Sequence, residues 1–117
     1  MEEHLFHYKA KVRSVYDGDT IRADIDLGMS ILFSNESVRL SRINAPELRG
    51  REREKGLEAR DYLRSRIQDK DIILQTQKDK KGKYGRFLAE VWIEDNGQYV
   101  NVNDEMVNRG FAVYKKY

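Results

Sequence analysis

Five short stretches of this chain set apolar residues at every second position, and one stretch, between the third and the fourth, sets them every three to four. The first spacing lines one side of a strand and the second lines one face of a helix. Phe6, Tyr8, Ala10 and Val12 make the first alternation; Ile21, Ala23, Ile25 and Leu27 make the second, which ends at Gly28. The third runs from about Val38 to Ile43, and the segment MSILFSNES before it either extends a strand or forms a loop. Ala59, Tyr62, Leu63 and Ile67 then share a helical face over about Gly56–Gln68. Two more strands follow, Asp71–Thr76 and Arg86–Ile93, joined as a hairpin by the polar run QKDKKGKYG. Asn96-Gly97 is a two-residue turn signal. A short helix is expected over Val102–Arg109, capped by Asn101 or Asn103 and stopped by Gly110.

Five short strands with a helix inserted after the third suit a small closed barrel of the oligonucleotide/oligosaccharide-binding (OB) kind, an all-β core with two packed helices. At 117 residues the chain is one domain with one modest core. Hydrophobic residues make up 39% of it, enough for a globular fold, and the 36% that are charged must crowd the surface. With 22 basic and 20 acidic residues the net charge is only +2, so any case for nucleic acid rests on local clustering. The absence of cysteine excludes disulfides and thiol chemistry. The first ten residues lack the basic start and apolar run of a secretion signal. A cytosolic location is the default expectation, or secretion if a leader has been removed. No stretch is long and apolar enough to span a membrane, and a monomer is expected.

Three segments carry residue types suited to chemistry. Asp17-Gly18-Asp19-Thr20 reads as a tight turn or as part of a site for a hard cation, which carboxylate oxygens suit and which needs oxygen partners from elsewhere in the chain. In RLSRINAPE, Arg39 alternates with Val38 and Leu40, which puts it on the face away from the core. That position is an ordinary surface arginine unless something covers it. Pro46 biases Ala45 away from helix, so Asn44–Glu47 leaves the strand as an extended or turned loop, where Asn44 offers a neutral carbonyl ligand and Glu47 a base. In Lys83-Tyr84-Gly85-Arg86, preceded by Lys78, Lys80 and Lys81, the lysines form a solvated turn or a loop that tracks a phosphate backbone and stacks a base. Arg86 opens a strand, a rigid place from which to aim a guanidinium.

The order of these motifs (DGDT, then R-x-x-x-I-N-A-P-E, a helix, then K-Y-G-R at a strand start) resembles the staphylococcal nuclease (thermonuclease) family over nearly the whole chain. The resemblance implies a five-stranded OB barrel with packed helices and a Ca²⁺-dependent hydrolase that cuts phosphodiester bonds of DNA and RNA. Residue by residue, it implies that Asp19 is a carboxylate metal ligand. Asn44 falls at a ligand position that is normally Asp, and Ala45 at one where a backbone carbonyl binds the ion. Asp17 falls at an acid beside the metal site, Glu47 at the general base, and Arg39 and Arg86 at the two arginines that grip the phosphate. Lys83 and Tyr84 fall next to the nucleotide. Tyr114 and Tyr117 are candidates for tyrosines that lie against it, and both also fit an exposed, frayed end. Asn44 in place of Asp implies weaker Ca²⁺ binding or tolerance of another divalent ion.

Three functions compete on this reading. The favoured one is a metal-dependent, sequence-tolerant nuclease acting on single-stranded or unpaired DNA or RNA. The second is a barrel that binds single-stranded nucleic acid without cutting it, for which Asn44 argues. The third is an interaction barrel with a vestigial site.

Overall fold

The alternating stretches bury one side each. In β1 (His7–Asp17) the inward residues are Ala10, Val12 and Val15, and in β2 (Thr20–Gly28) they are Ile21, Ala23 and Ile25. The structure is a computed structural model that describes residues 6–81 and 85–115, with 77–81 described by their backbone alone. The other strands are β3 (Ile31–Leu40), β4 (Ile43–Asn44), β5 (Asp71–Lys81), β6 (Phe87–Asp95), β7 (Gln98–Asn101) and β8 (Val113–Tyr114). The helices are α1 (Arg53–Ile67), led in by a 3₁₀ turn at Gly50–Glu52, and α2 (Val102–Asn108).

The strands hydrogen-bond in the order β3-β2-β1-β5-β6, and a parallel pairing of β3 with β6 joins the ends. The result is a five-stranded closed barrel of the OB kind with two helices packed on it, as the pattern predicts. β7 extends β6 as a hairpin through Asn96-Gly97, both at positive φ. β4 and β8 form a separate two-stranded ribbon.

The third strand differs from expectation. It begins at Ile31, so most of MSILFSNES belongs to it, and it ends at Leu40. Arg42 adopts a left-handed backbone, φ 66°, which breaks the strand before Ile43 and Asn44 pair with β8 instead. Asn101 rather than Asn103 caps α2, its side chain accepting from the Asp104 amide at 3.0 Å. Asn103 is fully buried and joins three elements: it accepts from the Val91 amide at 3.0 Å and donates to the carbonyls of Ser41 (2.9 Å) and Ala89 (3.1 Å).

Helix α1 buries Gly56, Ala59, Leu63 and Ile67 along one stripe against the barrel. Full burial of side chains such as Leu63 and Ile67 stabilises by roughly 1.5–3 kcal/mol each. The two glycines that matter most here supply space rather than unusual backbone. A Cβ on Gly18 would lie 2.7 Å from the Ala45 Cβ and 2.8 Å from the Ala59 Cβ. The φ of Gly18 is not positive, so DGDT needs its glycine for close packing and not for a left-handed turn. A Cβ on Gly56 would lie 2.2 Å from the Glu47 carbonyl oxygen.

An exposed helical glycine gains about 0.5–1 kcal/mol when changed to alanine. Gly56→Ala reverses that sign, because the new methyl group meets backbone that cannot step aside. The expected loss is about 1–3 kcal/mol, read as a lower urea midpoint. A midpoint equal to or above that of the parent would show that α1 does not lean on the Glu47 backbone.

Candidate functional site

The β1–β2 turn delivers Asp19, which is 6% exposed, to the end of β3, where Arg39 is 8% exposed. Arg39 does face away from the barrel core, opposite Thr20 on β2 and Leu88 on β6. It is nonetheless buried, because the turn and the loop leaving β4 come together there. Its Nη2 lies 3.3 Å from Asp19 Oδ2 and 3.3 Å from Asn44 Oδ1, and its Nη1 donates to the Leu40 carbonyl at 2.8 Å. The Ala45 amide donates to Asp19 Oδ2 at 2.8 Å, and the Thr20 hydroxyl donates to Asp19 Oδ1 at 3.1 Å. Asp19, Arg39, Asn44 and Ala45 are thus drawn into one cluster.

Asp17 stands behind this group and accepts from the Asp19 amide at 3.0 Å. Burial, together with the Asp19 carboxylate beside it, pushes its carboxyl from the usual 3.8 up to about 6. Two acids held this close in a half-buried turn favour the arrival of further positive charge. The side-chain acceptors gathered here are all oxygens: Asp19, Asp17 and the Asn44 amide. Such a set suits a hard divalent cation and does not select a soft metal. Among the described residues no three His, Cys, Asp or Glu side chains gather as a metal cluster. The side chains present therefore offer a divalent cation few charged ligands.

Glu47 sits on the loop three residues past Asn44. Its carboxylate is 66% exposed, and Arg49 approaches it at 3.9 Å. Its backbone is fixed by the approach of Gly56, and its amide faces Glu52 at 3.4 Å. Arg86 is half-buried just before β6. The parallel ladder pairs Arg39 with Leu88, so Arg86 falls on the same outward face, two residues away. Tyr114 is in β8, opposite Ile43, and is not frayed. Its hydroxyl donates to Asp104 at 2.9 Å, and the Arg42 guanidinium lies 5.7 Å from its ring centre. Lys83, Tyr84 and Tyr117 lie outside the described residues.

Three contributors to the site go unassigned in the sequence. Thr20 orients Asp19, and its signal is its place in DGDT. Gly56 fixes the Glu47 backbone, and its signal is a lone glycine inside a helical pattern. Arg42 ties the loop down through Glu90 (2.5 Å) and Asp104 (2.9 Å), which has no sequence signal because the partners are distant in the chain.

Comparison with known proteins relates the chain to one family. Residues 37–117 match the family described as staphylococcal nuclease homologue. A thermonuclease of Staphylococcus hyicus is 30% identical over 110 residues, covering 92% of this chain and 59% of the relative. A thermonuclease of Staphylococcus intermedius is 30% identical over 109 residues, covering 91% and 59%. An uncharacterised protein of Methanocaldococcus jannaschii is 26% identical over 127 residues, covering 91% and 58%. The chain spans less than two thirds of the length of each of these relatives.

The raised Asp17 carboxyl makes stability depend on pH. Between about pH 4 and pH 6 the folded protein keeps a proton that the unfolded chain has released. This group's favourable contribution is therefore complete below pH 4 and is lost as pH rises through about 6. An asparagine at this position would not titrate and could still accept from the Asp19 amide. In thermal melts without divalent ions, Asp17→Asn should gain on the parent from pH 4 to pH 7 by about 1 kcal/mol, reduced from the full linkage by partial exposure. A difference that stays flat across that window would remove the strain between Asp17 and Asp19.

Proposed function

The chain belongs to the staphylococcal nuclease homologue family, and from that membership we propose that it hydrolyses phosphodiester bonds of DNA, RNA or both, with support from a divalent cation such as Ca²⁺. The observation that carries this reading is the cluster of buried Asp19, Arg39 and Ala45 with the exposed Asn44, and Glu47 open to water three residues further along the same loop.

In this reading each side chain has one task. Glu47 takes the proton from a water that attacks phosphorus, work suited to an exposed carboxylate on a fixed backbone. Arg39 and Arg86 bind the non-bridging oxygens, whose charge grows as the fifth oxygen arrives. Their forked donors match that charge in a geometry lysine lacks. Asp19, Asn44 and the Ala45 carbonyl would hold the cation, with Asp17 behind them. When bound, the cation would neutralise phosphate charge and orient substrate and water. The leaving oxygen departs protonated, and the products are a phosphomonoester and an alcohol. Lys83, Tyr84 and Tyr114 are proposed to lie along the nucleotide. Single-stranded or unpaired substrate is the expected preference, since bases that stack on tyrosine must be unpaired.

A second reading, binding of a single strand without cleavage, draws support from Asn44, which leaves the proposed cation one charge fewer than an aspartate would give. Both readings meet in one assay on denatured DNA and RNA, run with a series of divalent ions and a chelator. Cleavage should require the ion and stop with the chelator. Glu47→Gln and Arg86→Ala should each lower kcat by roughly 10²–10³. If both variants cut at the parent's rate, these roles are wrong. A strand that is retarded in a gel but never cut, whatever the ion, decides for the second reading.

Asn44→Asp isolates the ligand question. It should tighten Ca²⁺ binding, measured by titration calorimetry, on the order of tenfold through the added ligand charge. Unchanged affinity would take residue 44 out of the ligand set.

A further inference from the structure

The outer face that carries Arg39 continues past it. On the β2–β3 ladder Thr20 pairs with Arg39, and the next outward pair is Arg22 with Ser37. On the parallel β3–β6 ladder Val38 pairs with Phe87 and Arg39 with Leu88, which brings Arg86 alongside Ser37. Arg22, Ser37, Gly85 and Arg86 line a shallow hollow of about 520 Å³. Successive same-face positions on a strand are roughly 6.5–7 Å apart, the scale of one step along an extended nucleic acid backbone.

Arg22 is set up to meet an anion there. Its Nη1 donates to the Asn35 carbonyl at 2.6 Å, which lays the side chain across β3. That bond uses one of the guanidinium's five N–H donors. Asp24, the next outward residue of β2, is already engaged. It accepts from the Asn35 amide at 2.7 Å and from Arg13 at 2.9 Å, and these partners hold its carboxyl below the usual range. Among the described residues Arg22 makes no ion pair. Ser37, on the strand between β2 and β6, adds a hydroxyl-bearing side chain to the lining, and Gly85 lines it without a side chain.

A forked cation beside a hydroxyl-bearing side chain on a rigid sheet face matches a tetrahedral oxyanion carrying several acceptor oxygens. We infer that Arg22 and Ser37, at the far side of the hollow that Arg86 also lines, form a second phosphate subsite, which binds the backbone phosphate adjacent to the one held by Arg39 and Arg86. The inference rests on the nuclease reading for the placement of the scissile phosphate, and it requires nucleic acid binding but not cleavage.

The test compares the parent chain with Arg22→Ala and Arg22→Lys. Each is titrated with a single-stranded DNA hexamer by fluorescence anisotropy across a salt series, and with a dinucleoside monophosphate, which has a single phosphodiester, by NMR. Arg22→Ala should weaken hexamer binding about three- to tenfold and lower the slope of log Kd against log salt by about one. Arg22→Lys should restore the slope and only part of the affinity. The dinucleoside monophosphate, lacking the neighbouring phosphate, should bind the parent and both variants alike. The subsite is overturned, with the nuclease reading intact, if Arg22→Ala matches the parent on the hexamer. It is equally overturned if that variant loses as much on the dinucleoside monophosphate as on the hexamer. A parent chain that binds no oligomer and cuts none overturns the nuclease reading, and the subsite with it.

Discussion

The buried contact between Asp19 and Arg39 is the constraint on which the site depends. Taking two charges out of water costs several kcal/mol each, and an apolar pair of similar volume is often as stable or more so. The contact persists because its remaining polar atoms are also satisfied. The carboxylate accepts from the Ala45 amide and the Thr20 hydroxyl, and the guanidinium donates to the Leu40 carbonyl and Asn44. The Leu40 amide in turn donates to the Asp19 carbonyl at 2.8 Å. One ion pair therefore fixes a turn, a strand end and a loop relative to each other. Among the described residues Asp19 and Arg39 are the two charged side chains that are buried, and that isolation supports a functional reading over a structural one.

The loop after β4 shows how rigidity is passed outward. Asp19 holds the Ala45 amide from one side, and α1 presses Gly56 against the Glu47 carbonyl from another. The pairing of Asn44 with Val113 braces the loop's beginning, and Arg42 is fixed to Glu90 and Asp104. Glu90 is half-buried. Burial would raise its carboxyl, but hydrogen bonds from Arg42, Ser41 and Asn101 outweigh that and hold it below the ordinary range. An exposed carboxylate such as Glu47 is thus mounted on a backbone with little freedom. That combination suits the base role proposed for Glu47, in which a solvated carboxylate on a fixed backbone takes a proton from a positioned water.

The barrel is legible in the chain because its strands bury one side each and its helix buries a stripe. Ile21, Ala23 and Ile25 announce β2 by spacing alone, as Ala59, Leu63 and Ile67 announce α1. The third strand escapes the pattern at both ends, for two reasons. Ile31, Leu32 and Phe33 are exposed and break the alternation rule. Arg42 takes a left-handed backbone that no residue near it signals. The site is legible as an order of motifs but not as geometry. Nothing local to Arg39 says that it is buried, since what covers it comes from residues about twenty positions upstream and from a loop five positions on. Gly18 reads as a turn residue because glycine usually is one, whereas its reason is a methyl-sized gap between Ala45 and Ala59.

Net charge is the least informative number in the chain, and the structure explains why. Much of the acid is spent locally: Asp24 on Arg13, Glu90 and Asp104 on Arg42, Asp95 and Glu105 on Arg66. Two of these acids, Asp24 on β2 and Glu90 on β6, stand on the barrel's outer face themselves, but each is engaged by an arginine outside the site, while Arg22 and Arg86 line the hollow on that face. The field that a ligand meets is set by the charges within about one Debye length of it, roughly 8–10 Å at physiological salt. Acids already compensated by their own arginines contribute little to it. A chain with nearly balanced charge can thus keep arginines available to an anion on one face, provided the acids beside them are already paired. Sorting of this kind is written in the strand register and not in the composition.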